Sequence, residues 1–132
     1  MLRRVSRSFS TTLYTKTHEW VILEEKGVAK MGITKFAVEQ LGEVVYADLP
    51  SVSNKYKKNA VFATVESVKA VGEIYCPFNS AQIISINEDL KSSVGPLNED
   101  PEGKGWLVKW KIDDMPSDLL SKPDYDKICD KH

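Results

Sequence analysis

The sequence consists of short runs of β-branched, aromatic and aliphatic residues, and each run is closed by turn-forming residues within a few positions. Strands this short can bury an apolar face only when two sheets pack together or when one sheet closes on itself. The pattern therefore predicts a mainly β protein, either a sandwich or a flattened barrel, with small helices at one end. A chain of 132 residues is long enough for one such domain with a real core.

The boundaries of these elements follow from composition and from turn signals. A short helix is predicted from an N-cap at Thr34 to a stop at Gly42. The polar stretch 87–104 is predicted to be a surface loop, and 118–129 a peripheral helix interrupted near Pro123. Strands are predicted, in chain order, at 19–24, 28–33, 44–49, 60–66, 73–76, 83–86 and 106–112.

The formal net charge of −1 hides an uneven distribution, because all three arginines lie within the first seven residues and the first acidic residue is Glu19. A basic, hydroxyl-rich segment without carboxylates is typical of a mitochondrial presequence. Residues 1–9 are therefore predicted to be a transit peptide cut before Ser10, so that 10–132 form the working domain in the mitochondrial matrix. The near balance of charge gives no reason to expect nucleic-acid or membrane partners.

The residues needed for most catalytic or metal sites are missing. His18 and His132 are the only histidines, and Cys76 and Cys129 the only cysteines. Neither a nucleophile elbow, a Cys-x-x-Cys pair, paired histidines nor a phosphate-binding glycine loop is present. The sequence therefore predicts neither an autonomous enzyme nor a metal site, and both cysteines are expected to act as small apolar residues.

One lysine is placed unusually, because Lys69 follows the β run that ends at Glu66 and precedes another β run. A lysine at the apex of such a turn presents its amine to solvent from several directions. A modifying enzyme could reach it there, although an ordinary exposed lysine would have the same pattern.

The segment Glu66-Ser67-Val68-Lys69-Ala70 resembles the lipoylation motif of the glycine cleavage system H proteins. The resemblance extends over roughly residues 17–112, with further matching stretches in the same order. These stretches are Thr17-His18-Glu19-Trp20-Val21, Met31-Gly32-Ile33-Thr34, Leu41-Gly42-Glu43-Val44-Val45 and Gly105-Trp106-Leu107-Val108-Lys109.

The resemblance implies a lipoyl/biotinyl-domain-like fold and a carrier of lipoic acid, joined through an amide to Lys69. It implies that Glu19 lies in a docking groove, where its carboxylate would accept the ammonium of the loaded arm. The chemistry would belong to the cofactor and to the partner enzymes, not to the carrier itself. The residues that the attaching enzyme would recognise around Lys69 are Glu66, Ser67, Val68 and Ala70.

The partners implied by the resemblance are the enzymes of glycine cleavage. They are a pyridoxal-phosphate-dependent glycine decarboxylase, a tetrahydrofolate-dependent aminomethyltransferase, dihydrolipoyl dehydrogenase and a lipoyl-attaching enzyme. The carrier would pass the aminomethyl group from the first to the second and electrons to the third, as a monomer.

Two alternatives stay open at the level of sequence. The first is a carrier for other chemistry, such as the lipoyl domain of a 2-oxoacid dehydrogenase or a biotin carrier. Biotin carriers typically place methionines beside the lysine, whereas Val68 and Ala70 flank Lys69 here. The second alternative is a binding module that has the same fold and carries no cofactor.

Overall fold

The computed structural model describes residues 11–131, so the leader predicted over 1–9 and the terminal His132 lie outside the described residues. The described chain is mainly β, as predicted. Its strands are β1 (Thr12–Tyr14), β2 (Glu19–Glu25), β3 (Val28–Ile33), β4 (Val44–Asp48), β5 (Lys55–Lys57), β6 (Val61–Ser67), β7 (Val71–Tyr75), β8 (Ser80–Ile86) and β9 (Val108–Ile112).

The strands form two antiparallel sheets. The larger sheet has six strands in the order β1-β2-β3-β9-β8-β5, and the smaller has three in the order β4-β6-β7. The sheets pack face to face and do not close into a barrel, so the sandwich form of the prediction is confirmed. Both sheets have open edges, with β4 and β7 at the edges of the smaller one.

Four short helices lie around the sheets within the described residues. They are α1 (Lys35–Leu41), α2 (Asp89–Ser92), α3 (Gly95–Glu99) and α4 (Lys122–Cys129). The predicted ends of α1 are confirmed, because the Thr34 hydroxyl accepts the Ala37 N–H at 3.1 Å and the Gly42 N–H bonds to the Val38 carbonyl at 2.9 Å. Thr34 thus satisfies one of the donors that a helix start leaves without a partner.

Strands β1 and β5 and helices α2 and α3 were not predicted from the sequence. Strand β5 has the polar sequence Lys-Tyr-Lys and is held by its antiparallel register with β8, in which Tyr56 lies opposite Ala81. Helices α2 and α3 occupy part of the predicted loop 87–104. The interruption predicted near Pro123 is wrong, because this proline lies in the first turn of α4, where its missing N–H costs nothing.

The main core fills the space between the sheets. Its centre is the fully buried Trp110, whose ring meets those of Tyr56, Phe62 and Phe78 edge to face at 4.8–5.9 Å between centroids. A second cluster lies on the outer face of the larger sheet, where α4 covers Tyr14 and Trp20. Trp20 and Trp110 therefore serve packing.

Strand β2 supplies both clusters by the alternation of its side chains. Trp20 and Ile22 belong to the outer cluster beneath α4, while Val21 and Leu23 belong to the core between the sheets. Glu19 has the same parity as Val21, so the geometry of the strand directs its carboxylate to the inner face of the sheet.

Gly42 ends α1 in a backbone conformation that other residues strongly disfavour, with φ +89° and ψ −170°. Gly42→Ala is therefore expected to lower the free energy of unfolding by about 1–3 kcal/mol. Urea unfolding followed by circular dichroism would measure the change. The neighbouring exposed substitution Glu43→Ala is the control and should stay within about 0.5 kcal/mol of the parent chain. Equal stability of both variants would contradict the assigned conformation.

Candidate functional site

Lys69 lies at the exposed tip of the hairpin between β6 and β7. The hairpin closes with a hydrogen bond from the Ser67 N–H to the Ala70 carbonyl at 2.8 Å. Val68 is 79% exposed, and Lys69 and Ala70 are exposed as well. The five residues of the motif are thus brought together in a single turn, with Ser67 alone buried among them.

The side chain of Ser67 stiffens this turn. Its hydroxyl oxygen accepts the Lys69 N–H at 3.3 Å and the Ala70 N–H at 3.0 Å. Neither Val68 nor Lys69 has a positive φ, so the turn differs from the types that two-residue hairpins favour. The hydrogen bonds from the Lys69 and Ala70 N–H groups to the Ser67 hydroxyl stabilise the turn in place of a favoured backbone conformation. They hold the Lys69 backbone in one position while leaving its amine in solvent.

The outer face of the smaller sheet continues from this hairpin as a mixed apolar and acidic surface. Tyr46, Glu66 and Val71 are cross-strand neighbours on β4, β6 and β7, and all three are exposed. Glu73 lies further along β7 and accepts a hydrogen bond from the Tyr75 hydroxyl at 3.1 Å. Any enzyme that reaches Lys69 at the hairpin would therefore meet carboxylates and apolar side chains beside it.

A cleft of about 190 Å³ begins next to the hairpin and ends at Glu19. Near the hairpin it is lined by Leu41 of α1 and Gly72 of β7. A Cβ atom on Gly72 would lie 3.1 Å from a Leu41 methyl carbon, so glycine allows the helix to approach the sheet closely. The remaining wall is mostly apolar, and its residues include Ile33, Ala37, Val65 and Ile74.

Glu19 is only 1% exposed, although its carboxylate lines the far end of this cleft. Its Oε1 atom accepts hydrogen bonds from the Thr15 and Thr17 hydroxyls, each at 2.5 Å. Its Oε2 atom accepts the backbone N–H of Tyr75 at 3.2 Å. Burial raises the pKa of the Glu19 carboxyl above its ordinary value, and these three hydrogen bonds offset part of that rise.

Glu19 also lines a second cleft on its other side. This cleft lies against Tyr75 and is crossed by an ion pair of 2.7 Å between Lys58 and Asp118. Cys76 lines it but is fully buried, and burial raises the pKa of its thiol to about 11. A thiol of that pKa stays protonated near neutral pH and is a poor nucleophile, as expected from the sequence.

The structure separates the residues selected from the sequence into two groups. Lys69 and its neighbours form the hairpin, and Glu19 lies at the opposite end of the cleft. Glu19 is not a solvated carboxylate at a strand edge, because it is buried between the sheets. The sequence did not identify Thr15, Thr17 or the Tyr75 N–H as its partners. The spacing Thr-x-Thr-x-Glu was a usable signal for the hydroxyls, but the Tyr75 N–H comes from a distant strand.

The described part of the chain contains neither a candidate metal cluster nor a helix that could span a membrane. Between residues 11 and 131 there is no group of three or more His, Cys, Asp or Glu side chains that could hold a metal ion. Within the same range, every helix is too short or too polar to cross a membrane.

Comparison with known proteins gives a consistent result. The sequence model of the family described as "Glycine cleavage H-protein" matches residues 12–132. The glycine cleavage system H protein of Thermotoga maritima is 50% identical over 118 residues, which cover 88% of this chain and 94% of the relative. The probable glycine cleavage system H protein of Pyrococcus abyssi is 41% identical over 117 residues, covering 89% and 86% of the two chains.

A solved structure agrees with these sequences. The crystal structure of a glycine cleavage system H protein from Mycobacterium marinum superposes with a TM-score of 0.81 at 30% identity, covering 89% of this chain and 94% of that one. The architecture described above is therefore shared with a protein of that name.

The similar proteins overturn one prediction. They come from bacteria and archaea, including Thermotoga, Herpetosiphon, Pyrococcus and Rubrobacter, and these organisms have no mitochondria. The predicted location in the mitochondrial matrix is therefore wrong. The composition of residues 1–9 suggested it, but a short basic segment is a weak signal because many N-termini share that composition.

The identity and the structural match both extend over most of the chain and of its relatives. The protein belongs to the glycine cleavage H-protein family, the lipoyl carriers of the glycine cleavage system, and is a carrier subunit without catalytic activity of its own.

Proposed function

We propose that lipoate is attached through an amide bond to Lys69 and that the cleft ending at Glu19 shelters the loaded arm. The observation that carries this proposal is an exposed lysine on a stiffened turn, whose side chain lies beside Gly42 and so next to Leu41, a residue of a mostly apolar cleft that Glu19 also lines. When bound, lipoate supplies the dithiolane that takes up the group cleaved from glycine and the accompanying electrons.

The residues present fit such a group. Leu41, Val65 and Ile74 give the cleft apolar walls suited to an aliphatic chain. The Lys69 stem passes over the end of α1, where a Cβ on Gly42 would lie 3.4 Å from Lys69 Cε. The hairpin, the helix end and the cleft entrance are thus one contiguous region.

Glu19 has the chemistry needed to hold a primary ammonium. Each carboxylate oxygen can accept about two hydrogen bonds, and Oε2 receives one from the described residues, the Tyr75 N–H. A further donor in the cleft could therefore bond to Oε2 without displacing Thr15 or Thr17. A charge-assisted bond of this kind, in a site that excludes water, would slow hydrolysis of the bound aminomethyl group.

The proposed partners are those of the glycine cleavage cycle. Glycine decarboxylase, the folate-dependent aminomethyltransferase and dihydrolipoyl dehydrogenase would act in turn on the arm of one monomeric carrier. Tethering keeps the intermediate at a high effective concentration for each of them. The lipoyl-attaching enzyme would recognise the hairpin, in which Glu66 and Val68 flank Lys69 with exposed side chains.

Lys69→Arg should abolish lipoylation, because arginine keeps the positive charge but lacks the primary amine that forms the amide. Intact-mass measurement on protein from its own cells should show one lipoyl group on the parent chain and none on this variant. Lys26→Arg is the matched control, since Lys26 is an exposed lysine at the β2–β3 turn. A parent chain without the adduct would favour the unmodified binding module.

Glu19→Ala should leave lipoylation intact and should speed the loss of the aminomethyl group by about tenfold. This factor corresponds to the loss of one charge-assisted hydrogen bond worth roughly 1.4 kcal/mol. The carrier would be loaded by incubation with glycine and glycine decarboxylase and then separated from the enzyme. The rate at which formaldehyde and ammonia are released would measure the loss of the aminomethyl group. Glu25→Ala, at the exposed end of the same strand, is the control. Unchanged release from the Glu19 variant would refute the assigned role.

The buried carboxylate should also make stability depend on pH. Because the folded-state pKa of Glu19 is raised above the ordinary 4.5, its contribution to stability is complete below that value and is lost as the pH rises through the folded pKa. Glu19→Gln cannot ionise. The stability of this variant relative to the parent chain should therefore increase between about pH 4 and pH 7, as measured by urea unfolding. A pH-independent difference would show that burial does not penalise the charged form.

A further inference from the structure

We propose that Tyr125 of the C-terminal helix is a positioning residue, which acts through His18 to hold the wall of the cleft beside Glu19. The role of the cleft rests on the proposed function above, whereas the hydrogen-bond arrangement itself can be tested without lipoate. The observation behind it is that one phenol hydroxyl bonds both to His18, which lines the cleft, and to Thr34, which caps the helix that carries the lining residue Ala37.

The first wall is the turn that leads into β2. His18 has φ +72°, a left-handed backbone conformation that is uncommon for residues other than glycine, and it directly precedes Glu19. The His18 Nδ1 atom lies 2.8 Å from the Tyr125 hydroxyl oxygen. The His18 ring also contacts Phe36 of α1, with 4.8 Å between ring centroids. The Tyr125 bond thus acts on the residue that sets the direction of the Glu19 backbone.

The second wall is the start of α1. The Thr34 hydroxyl oxygen lies 2.7 Å from the same Tyr125 oxygen and also accepts the N–H of Ala37, which lines the cleft. The backbone N–H of Thr34 bonds to the His18 carbonyl at 3.0 Å. Tyr125 therefore ties together the turn before β2 and the N-terminus of α1.

Each hydrogen bond around the Tyr125 hydroxyl needs one donor and one acceptor. Thr34 is 1% exposed, so its hydroxyl proton needs an acceptor, and the Tyr125 oxygen is in place to accept it. In the proposed arrangement Tyr125 donates its own proton to His18 Nδ1, and the Cys129 thiol is a second acceptor near the phenol. Burial raises the pKa of Tyr125 above its ordinary value, and the Cys129 thiol adds to this rise. The phenol therefore keeps its proton near neutral pH. In this arrangement Nδ1 of His18 is the acceptor and its ring proton lies on Nε2.

Helix α4 is held firmly enough to serve as this support. The Tyr125 ring stacks on Tyr14 with 4.7 Å between centroids and 8° between planes. Tyr14 in turn exchanges two backbone hydrogen bonds with Leu120, at 2.8 and 2.7 Å. The Ser121 hydroxyl caps α4 by accepting the Asp124 N–H. Removing the Tyr125 hydroxyl would therefore leave the ring in place and free only the groups that it holds.

The first test reads the hydrogen bond directly. The chain contains two histidines, His18 and His132, so a long-range ¹H–¹⁵N spectrum of the labelled chain without lipoate contains two imidazole patterns. His18 is expected to be the neutral Nε2–H tautomer in the parent chain. In Tyr125→Phe its Nδ1 signal should move away from the hydrogen-bonded position. A dominant Nδ1–H tautomer in the parent chain, or an unchanged signal in the variant, would overturn the proposal.

The second test reads the effect on the loaded carrier. Tyr125→Phe should speed the release of formaldehyde and ammonia by about tenfold, the factor that corresponds to about 1.4 kcal/mol. Tyr14→Phe is the matched control, since it removes the other hydroxyl of the same stacked pair and should leave the rate unchanged. A rate in Tyr125→Phe equal to that of the parent chain would overturn the positioning role.

A double-mutant cycle separates action through His18 from general loosening of the fold. His18→Gly removes the imidazole but suits the left-handed backbone. Tyr125→Phe should add no further acceleration in the His18→Gly background, and a full additional effect there would overturn the proposal.

If the parent carrier itself did not slow the loss of the aminomethyl group, the proposed role of the cleft would fail. The proposed effect of Tyr125 on protection would fail with it. The tautomer measurement would then still decide the hydrogen bond.

Discussion

Burial of the Glu19 carboxylate between two sheets is the constraint on which the rest of the site depends. A charged group taken out of water costs several kcal/mol unless hydrogen bonds replace its hydration. Here Thr15 and Thr17 supply hydroxyls from the turn before β2, and Tyr75 supplies an N–H from the smaller sheet. The carboxylate therefore joins the two sheets at the point where the cleft ends. A group that costs stability and is nevertheless surrounded by donors is typical of a functional site.

In the proposed function the hairpin and the cleft would divide the work of a carrier between them. The hairpin keeps the Lys69 backbone in place through Ser67 while its side chain remains in solvent. The cleft offers mostly apolar walls with Glu19 among its polar residues, which would suit an arm that must be both mobile and protected. Helix α1 connects the two, since its Leu41 end packs on Gly72 beside the hairpin and its Thr34 end bonds to Tyr125. No catalytic group is needed in such a design, because the reactions belong to the cofactor and the partner enzymes.

Much of the fold could be predicted because local signals and tertiary structure agree. Strand β3 and the caps of α1 lie where composition placed them, since glycine and threonine impose their preferences locally. Strand β5 could not be predicted, because its lysines favour solvent and only pairing with β8 makes it a strand. Pro123 was misinterpreted for a different reason, since proline both ends helices and begins them. The position of a proline relative to a helix start depends on the whole segment.

The sequence by itself determined the turn that presents Lys69, the mainly β architecture and the resemblance to a lipoyl carrier, because each depends on residues that are neighbours along the chain. Only the tertiary structure decided the environment of Glu19, since its donors come from residues 15, 17 and 75 and burial depends on the packing of two sheets. It also brought Tyr125 to His18, across 107 positions of sequence. Contacts of that separation leave no local pattern, because no periodicity or turn preference connects the two residues.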